Sequence, residues 1–294
     1  MFKKILVATD FSKPSRAALL AGLELAKKSL VPLDVVHVLS YMEDVYAADR
    51  FVVPTNEWQK EMDNQLNDFF PKELYPNSHR KLLLGSSITE EILKYARIQG
   101  CGLIVVGSHG RSAVGRLLLG SITQHLSRIS EIPVMTVRAA EETEKPYQGF
   151  DRVLAPTDFS DASIKAIDLA VNFANFLKAE LHLIHVVDMP ALKGYASVYS
   201  EFLQLELDQP SKLNVDSTLK QMLANKQLAG NLKVASLLGE PVDEILGYAD
   251  KQAANVIVMA SHGKKGLQRL LLGSVTAGVV AQSRIPVITM AIPD

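Results

Sequence analysis

The chain repeats itself, and that repetition limits the fold more than any other feature of the sequence. Residues 105–123, VVGSHGRSAVGRLLLGSIT, return at 258–276 as VMASHGKKGLQRLLLGSVT, and FKKILVATDFSKPSRAAL from residue 2 returns as FDRVLAPTDFSDASIKAI from residue 150. Asp10 maps to Asp158 and His37 to His185 with an offset of 148, whereas Gly110 maps to Gly263 and Pro133 to Pro286 with an offset of 153. The few extra residues belong to connections. A length of 294 residues suits two domains, each large enough to bury its own core. The expected division is 1–139 and 150–294, joined by a charged linker over 140–149 that contains Pro146 and Gly149.

Within each copy, short β-branched runs alternate with helical spacing, which predicts a parallel sheet covered by helices on both faces. In copy one the strands are expected at Lys4 to Thr9, Leu33 to Leu39, Lys81 to Leu84, Leu103 to Gly107 and Val134 to Val137. Ser12 reads as an N-cap with Pro14 in the first turn, and Ala18, Ala21 and Leu25 fall on one helical face. Copy two repeats that face as Ala166, Leu169 and Phe173. The regions 41–76 and 188–230 are least alike, and each is expected to hold an irregular loop followed by one helix.

Composition narrows the function classes. The net charge is −1 with no basic block, which removes the electrostatic footprint of a general nucleic-acid binder. No apolar run approaches the roughly 20 residues of a membrane span. The start, MFKKILVATD, meets an acidic residue before any cleavage-type motif, so a cytoplasmic location is expected. The single cysteine, Cys101, agrees with a reducing compartment and reads as a packed residue.

The repeated loop carries the chemistry. After the LIVV strand, Gly107 and Gly110 tolerate positive φ and admit a ligand close to the backbone. Gly120 and Ser121 then open another helix, whose unpaired amides form a donor surface suited to phosphate oxygens. Ser121 adds a hydroxyl and Arg111 a charge. The spacing Gly-x2-Gly-x9-Gly-Ser is neither a Walker A loop nor a Rossmann fingerprint.

In a doubly wound sheet of order 3-2-1-4-5, ligands bind beyond the strand ends between strands one and four. That would set Asp10 opposite Gly107. A carboxylate there either holds a ribose hydroxyl, shares a divalent cation such as Mg with the phosphates, or merely caps the turn before Ser12. His109 and His262 read as turn residues, and neither has a nucleophile partner by spacing. His182 and His185 point to opposite strand faces and make no metal pair, and copy one has Asp34 where copy two has His182. Trp58, Phe69 and Phe70 read most simply as packing residues, with a hydrophobic pocket there as the alternative.

The motifs VATDFS, HVL, VVGSHG and Gly-x2-Gly-x9-Gly-Ser, in that order, resemble the universal stress protein family in its tandem two-domain form, over nearly all of both copies. The resemblance implies five parallel strands per domain, pairing of the domains through their last strands, and a role in the cytoplasmic stress response. It also implies ATP or AMP binding where the glycine loop is retained. Carried over, Asp10 and the backbone at Val38 would hold the nucleoside, and Gly107, Gly110, Arg111, Gly120, Ser121 and Ile122 the phosphates, with Thr9 and His109 beside them.

The corresponding second set is Thr157, Asp158, Val186, Gly263, Lys264, Gly273, Ser274 and Val275. Ala260 stands where copy one has Gly107, so the second site is expected to be weaker. Its methyl would either intrude on the nucleotide or, at positive φ, strain the backbone. Three readings stay open: a regulatory adenine-nucleotide binder acting on unknown protein partners, a slow ATPase or phosphate-transfer enzyme, and a chaperone-like scaffold. No general base for the second is evident, and the H-x-G-H and S-G-G-x-D-S motifs of related nucleotide enzymes are absent. Each copy ends in an apolar strand, VMTV or VITM, that needs a partner. An intramolecular pseudo-dimer would supply one, and further homodimerisation of the chain is compatible with it.

Overall fold

The computed structural model describes residues 2–40, 55–109, 119–139, 149–187, 210–262 and 272–291. Domain 1 has strands β1 (Ile5–Ala8), β2 (Leu33–Ser40), β3 (Ser78–Gly85), β4 (Leu103–Gly107) and β5 (Val134–Val137). Its helices are α1 (Lys13–Ser29), α2 (Asn56–Phe69), α3 (Ile88–Ile98) and α4 (Ser121–Ile129). Domain 2 repeats the plan with β6 (Arg152–Thr157), β7 (Glu180–Val187), β8 (Leu232–Leu238), β9 (Val256–Ala260) and β10 (Val287–Met290). Its helices are α5 (Asp161–Leu177), α6 (Pro210–Leu223), α7 (Pro241–Lys251) and α8 (Ser274–Gln282). The linker 140–149 lies outside the described residues except for Gly149.

All ten strands form one sheet in the order β3-β2-β1-β4-β5-β10-β9-β6-β7-β8. Each half is parallel with the predicted 3-2-1-4-5 order, and the halves meet antiparallel, Val287 opposite Thr136 and Thr289 opposite Val134. The apolar terminal strands thus cover each other's edges, which removes two pairing-competent edges from solvent.

Helices cover both faces. Beneath α1, α2, α5 and α6 a single core runs through both halves, including Ile5, Leu25, Leu66, Phe70, Phe173 and Leu219. On the opposite face there are two cores, one around Ile92, Ile104 and Leu126 and one around Ile245, Ile257 and Val279. Phe2 bridges the halves, with its ring 5.9 Å from that of Phe173 and 6.3 Å from that of Phe176.

Local chemistry accounts for the element starts. Ser12 caps α1 by accepting from the Ser15 amide, and Ser160 does the same for α5 through Ser163. Ala18, Ala21 and Leu25 are fully buried as the spacing predicts. In α5 the stripe is shifted: Ala166, Ala170 and Phe173 are buried and Leu169 is only half-buried, because the larger leucine packs at the margin of the core. Strand β3 starts at Ser78 rather than Lys81, since an outer strand tolerates the polar His79 and Arg80 that mask its pattern. Cys101 is buried, and burial together with the Asp34 carboxylate pushes its thiol up to about 12, as suits a packed residue. No described helix is long and apolar enough to cross a membrane.

Candidate functional site

Strand β1 ends at Ala8, one residue before the Thr9–Ser12 turn, while β2 runs on beside it. The Thr9 amide donates to Val36 O at 2.9 Å. Val38, two residues further along β2, therefore faces the same side, where β1 has ended and only Leu83 of β3 pairs in register. This is the switch-point crevice, and a cavity of about 540 Å³ opens there.

The turn at its floor is held by its own side chains. Thr9 Oγ1 donates to Ser15 Oγ at 2.9 Å and accepts from the Phe11 amide at 2.9 Å. Asp10 Oδ1 accepts from the Ser12 amide at 3.1 Å and the Ser12 hydroxyl at 2.5 Å. Burial alone would raise the Asp10 carboxyl, but the hydrogen bonds from Ser12 and Ser15 outweigh it and hold the group below its ordinary 3.8. Asp10 is thus ionised at neutral pH. It caps the turn, and a carboxylate still has lone pairs for a further donor.

Phe11 sits at φ 66°, in the left-handed region, and rests on His37 with ring centroids 4.4 Å apart. His37 Nδ1 donates to Thr9 O at 2.7 Å, which fixes its tautomer.

The other wall comes from the glycine loop. Gly120 N donates to Ser108 O at 2.8 Å, which holds the start of α4 against the end of β4. Gly120 is the N-cap of α4 and supplies no side-chain cap. The amides of the first turn therefore point out of the helix without intrahelical acceptors. Ser121 and Ile122 in that turn line the cavity, and Thr123 Oγ1 is turned back onto Gly107 O at 2.7 Å.

Thr9, Asp10, Val38, Gly107, His109, Gly120, Ser121 and Ile122 all line this one cavity. Gly110 and Arg111 lie outside the described residues, as do Gly263 and Lys264. Gly107 departs from expectation in two ways. It is an extended strand residue and not a positive-φ one, and a Cβ there would meet Pro14 of α1 at 2.7 Å. What requires glycine is the close seat of α1 on β4.

By the repeat, Ala260 of β9 and Ala162 of α5 stand where domain 1 has Gly107 of β4 and Pro14 of α1.

Ser15, His37, Ser40, Ile88 and Ile92 also line the cavity, as do Trp58, Met62 and Gln65 of α2. Trp58 is thus a cavity residue and not simply a packing one. Repetition could have found part of this set, because Thr9 with Ser15, His37 and Thr123 recur as Thr157 with Ser163, His185 and Thr276.

Domain 2 keeps the floor. Thr157 Oγ1 pairs with Ser163 Oγ at 2.9 Å, Asp158 Oδ1 accepts from the Ser160 amide and hydroxyl at 3.0 and 2.6 Å, and His185 Nδ1 meets Thr157 O at 2.7 Å. Gly273 caps α8 without a side chain, and Ser274 and Val275 follow in its first turn. Val186 packs partly against the domain 2 core.

The chain matches the model of the universal stress protein family over residues 1–138 and again over 149–290. A universal stress protein of Mycobacterium tuberculosis is 26% identical over 298 residues, spanning 97% of this chain and 95% of that one. One from Methanocaldococcus jannaschii is 33% identical over 144 residues, 49% of this chain and 84% of the relative. Among solved structures, a universal stress protein from Archaeoglobus fulgidus shares the fold, with a TM-score of 0.67 at 22% identity over 98% of each chain. Two matched segments, two copies of one strand order and two copies of the Thr-Asp-Phe-Ser turn lead to one conclusion: the chain belongs to the universal stress protein family and carries two of its domains in tandem.

Proposed function

We propose that this is an adenine-nucleotide-binding regulatory protein of the cytoplasmic stress response, with domain 1 as its stronger site. The observation that carries the reading is the single cavity that gathers an ionised Asp10, the uncapped first turn of α4 and an apolar wall including Val38, Ile88 and Ile92. Each part matches a different portion of a nucleotide. Outward-pointing amides suit phosphate oxygens, a carboxylate suits ribose hydroxyls, and apolar side chains suit a base. Arg111 and the Gly110 turn would complete the phosphate end, and the Val38 backbone the nucleoside end. The cavity volume of about 540 Å³ falls within the range of small-ligand sites.

Domain 2 has the same floor and helix start, so Thr157, Asp158, Val186, Gly263, Lys264, Gly273, Ser274 and Val275 form a second, weaker site. Among the described residues no group of three or more His, Cys, Asp or Glu gathers to hold a metal. A Mg ion would arrive with the phosphates and take Asp10 as a ligand from the chain. Occupancy would then change the surface offered to protein partners.

The test is to release ligand from freshly purified protein with acid and identify it, alongside a turnover assay with ATP. Adenine nucleotide near one equivalent per chain, with turnover at background, is the expected result. Steady turnover well above background would favour an enzyme. Protein free of nucleotide that also takes up none in dialysis would contradict the reading.

A further inference from the structure

We propose that the face of α2 carrying Trp58, Met62 and Gln65 is the base-recognition wall of the domain 1 site, with Trp58 stacking on a purine and Gln65 selecting adenine. The proposal rests on the nucleotide reading of the cavity. The three residues stand at i, i+4 and i+7, one face of a helix, and all three line the cavity. Leu66, the residue after Gln65, is buried in the core with Phe70 and fixes that face in place. Trp58 is half-buried, and its amide is tied to the Thr55 cap at 3.2 Å, which anchors the backbone beneath the ring.

An indole beside a cavity with outward-pointing amides at a helix start offers a flat apolar face where a phosphate-bearing ligand would place its planar group. Gln65 stands exposed, and its amide makes no hydrogen bond among the described residues. A side-chain amide presents one acceptor and one donor side by side, which matches the amino group and ring nitrogen of adenine. Guanine offers two acceptors on the corresponding edge.

The wall also separates the two domains. In α6, Leu219 and Leu223 are buried as Leu66 and Phe70 are in α2. That register puts Ser211, Val215 and Thr218 at the positions of Trp58, Met62 and Gln65. Domain 2 therefore has no aromatic residue and no amide at these positions. The preference for domain 1 comes from this helix.

The experiment uses the full chain, titrated with ATP, GTP and inorganic tripolyphosphate by calorimetry and by the emission of Trp58, the one tryptophan in the sequence. ATP should quench that emission with the calorimetric midpoint. Trp58→Ala should weaken ATP by about tenfold or more, leave tripolyphosphate unchanged, and be largely rescued in Trp58→Phe. Gln65→Leu should lower the ATP over GTP preference by about tenfold. If Trp58→Ala binds ATP within about twofold of the wild type, or the emission does not respond while heat shows binding, the wall is overturned and the nucleotide reading stands. An unchanged ATP over GTP ratio in Gln65→Leu overturns the selective role of Gln65. A wild-type chain that binds neither ATP nor tripolyphosphate overturns both.

Discussion

A Cβ built on Gly107 would lie 2.7 Å from the carbonyl carbon of Pro14 and 2.9 Å from the Ser15 amide nitrogen. Backbone cannot yield as a flexible side chain does, so Gly107→Ala should lift the start of α1 off β4. The expected cost is about 1–3 kcal/mol, as for an overpacked core site. Urea unfolding of Gly107→Ala checks this, and a neutral result would show that the contact relaxes freely.

Asp10 gives a signed pH dependence. Its carboxyl is held below 3.8 in the fold, because hydrogen bonds from Ser12 and Ser15 outweigh burial. The stabilisation is therefore present above the unfolded value and is lost as pH falls through the folded one. Asp10→Asn can still cap the turn but cannot titrate. Its stability should fall less steeply than that of the wild type on acidification below about pH 4, as read by thermal melts across that range.

Strands β1, β2, β4 and β5 were legible because their apolar runs are buried on both faces, and the start of α1 because Ser12 and Pro14 are local signals. The cavity floor was legible through Asp10 and the glycine loop, since both recur. The need for Gly107 was not, because the atoms it avoids belong to Pro14, far away in the chain. Trp58 was not either: one helix of period 3.6 presents faces to both core and crevice, and only the β1–β2 geometry tells them apart.

Asp34 is 1% exposed and bonded to Lys4 Nζ at 2.9 Å, Tyr95 Oη at 3.0 Å and His79 Nδ1 at 3.2 Å. The matching site in domain 2 is rearranged around the fully buried His182, with Glu180 shared between Arg152 at 2.9 Å and Lys233 at 3.0 Å. Removing the cation at Lys4 leaves the buried carboxylate with only Tyr95 and the exposed His79. Lys4→Met should cost about 3 kcal/mol or more, and Arg152→Met less, because Glu180 keeps Lys233. Equal losses in chemical denaturation would contradict this.

The β5–β10 pairing predicts the behaviour of an isolated half. Residues 1–139 expressed alone would expose β5 with Val134, Met135 and Val137, all buried in the full chain. Analytical ultracentrifugation should find a homodimer or larger species. A monomer that persists at high concentration would show that the edge needs no partner.

The central claim, an adenine-nucleotide site in domain 1, is tested most directly by calorimetric titration of ATP into the wild-type chain, Asp10→Ala and Asp158→Ala. One tight site per chain is predicted, weakened by about tenfold or more in Asp10→Ala and retained in Asp158→Ala. Absence of binding to the wild type, or a tight site lost with Asp158 and indifferent to Asp10, would contradict it.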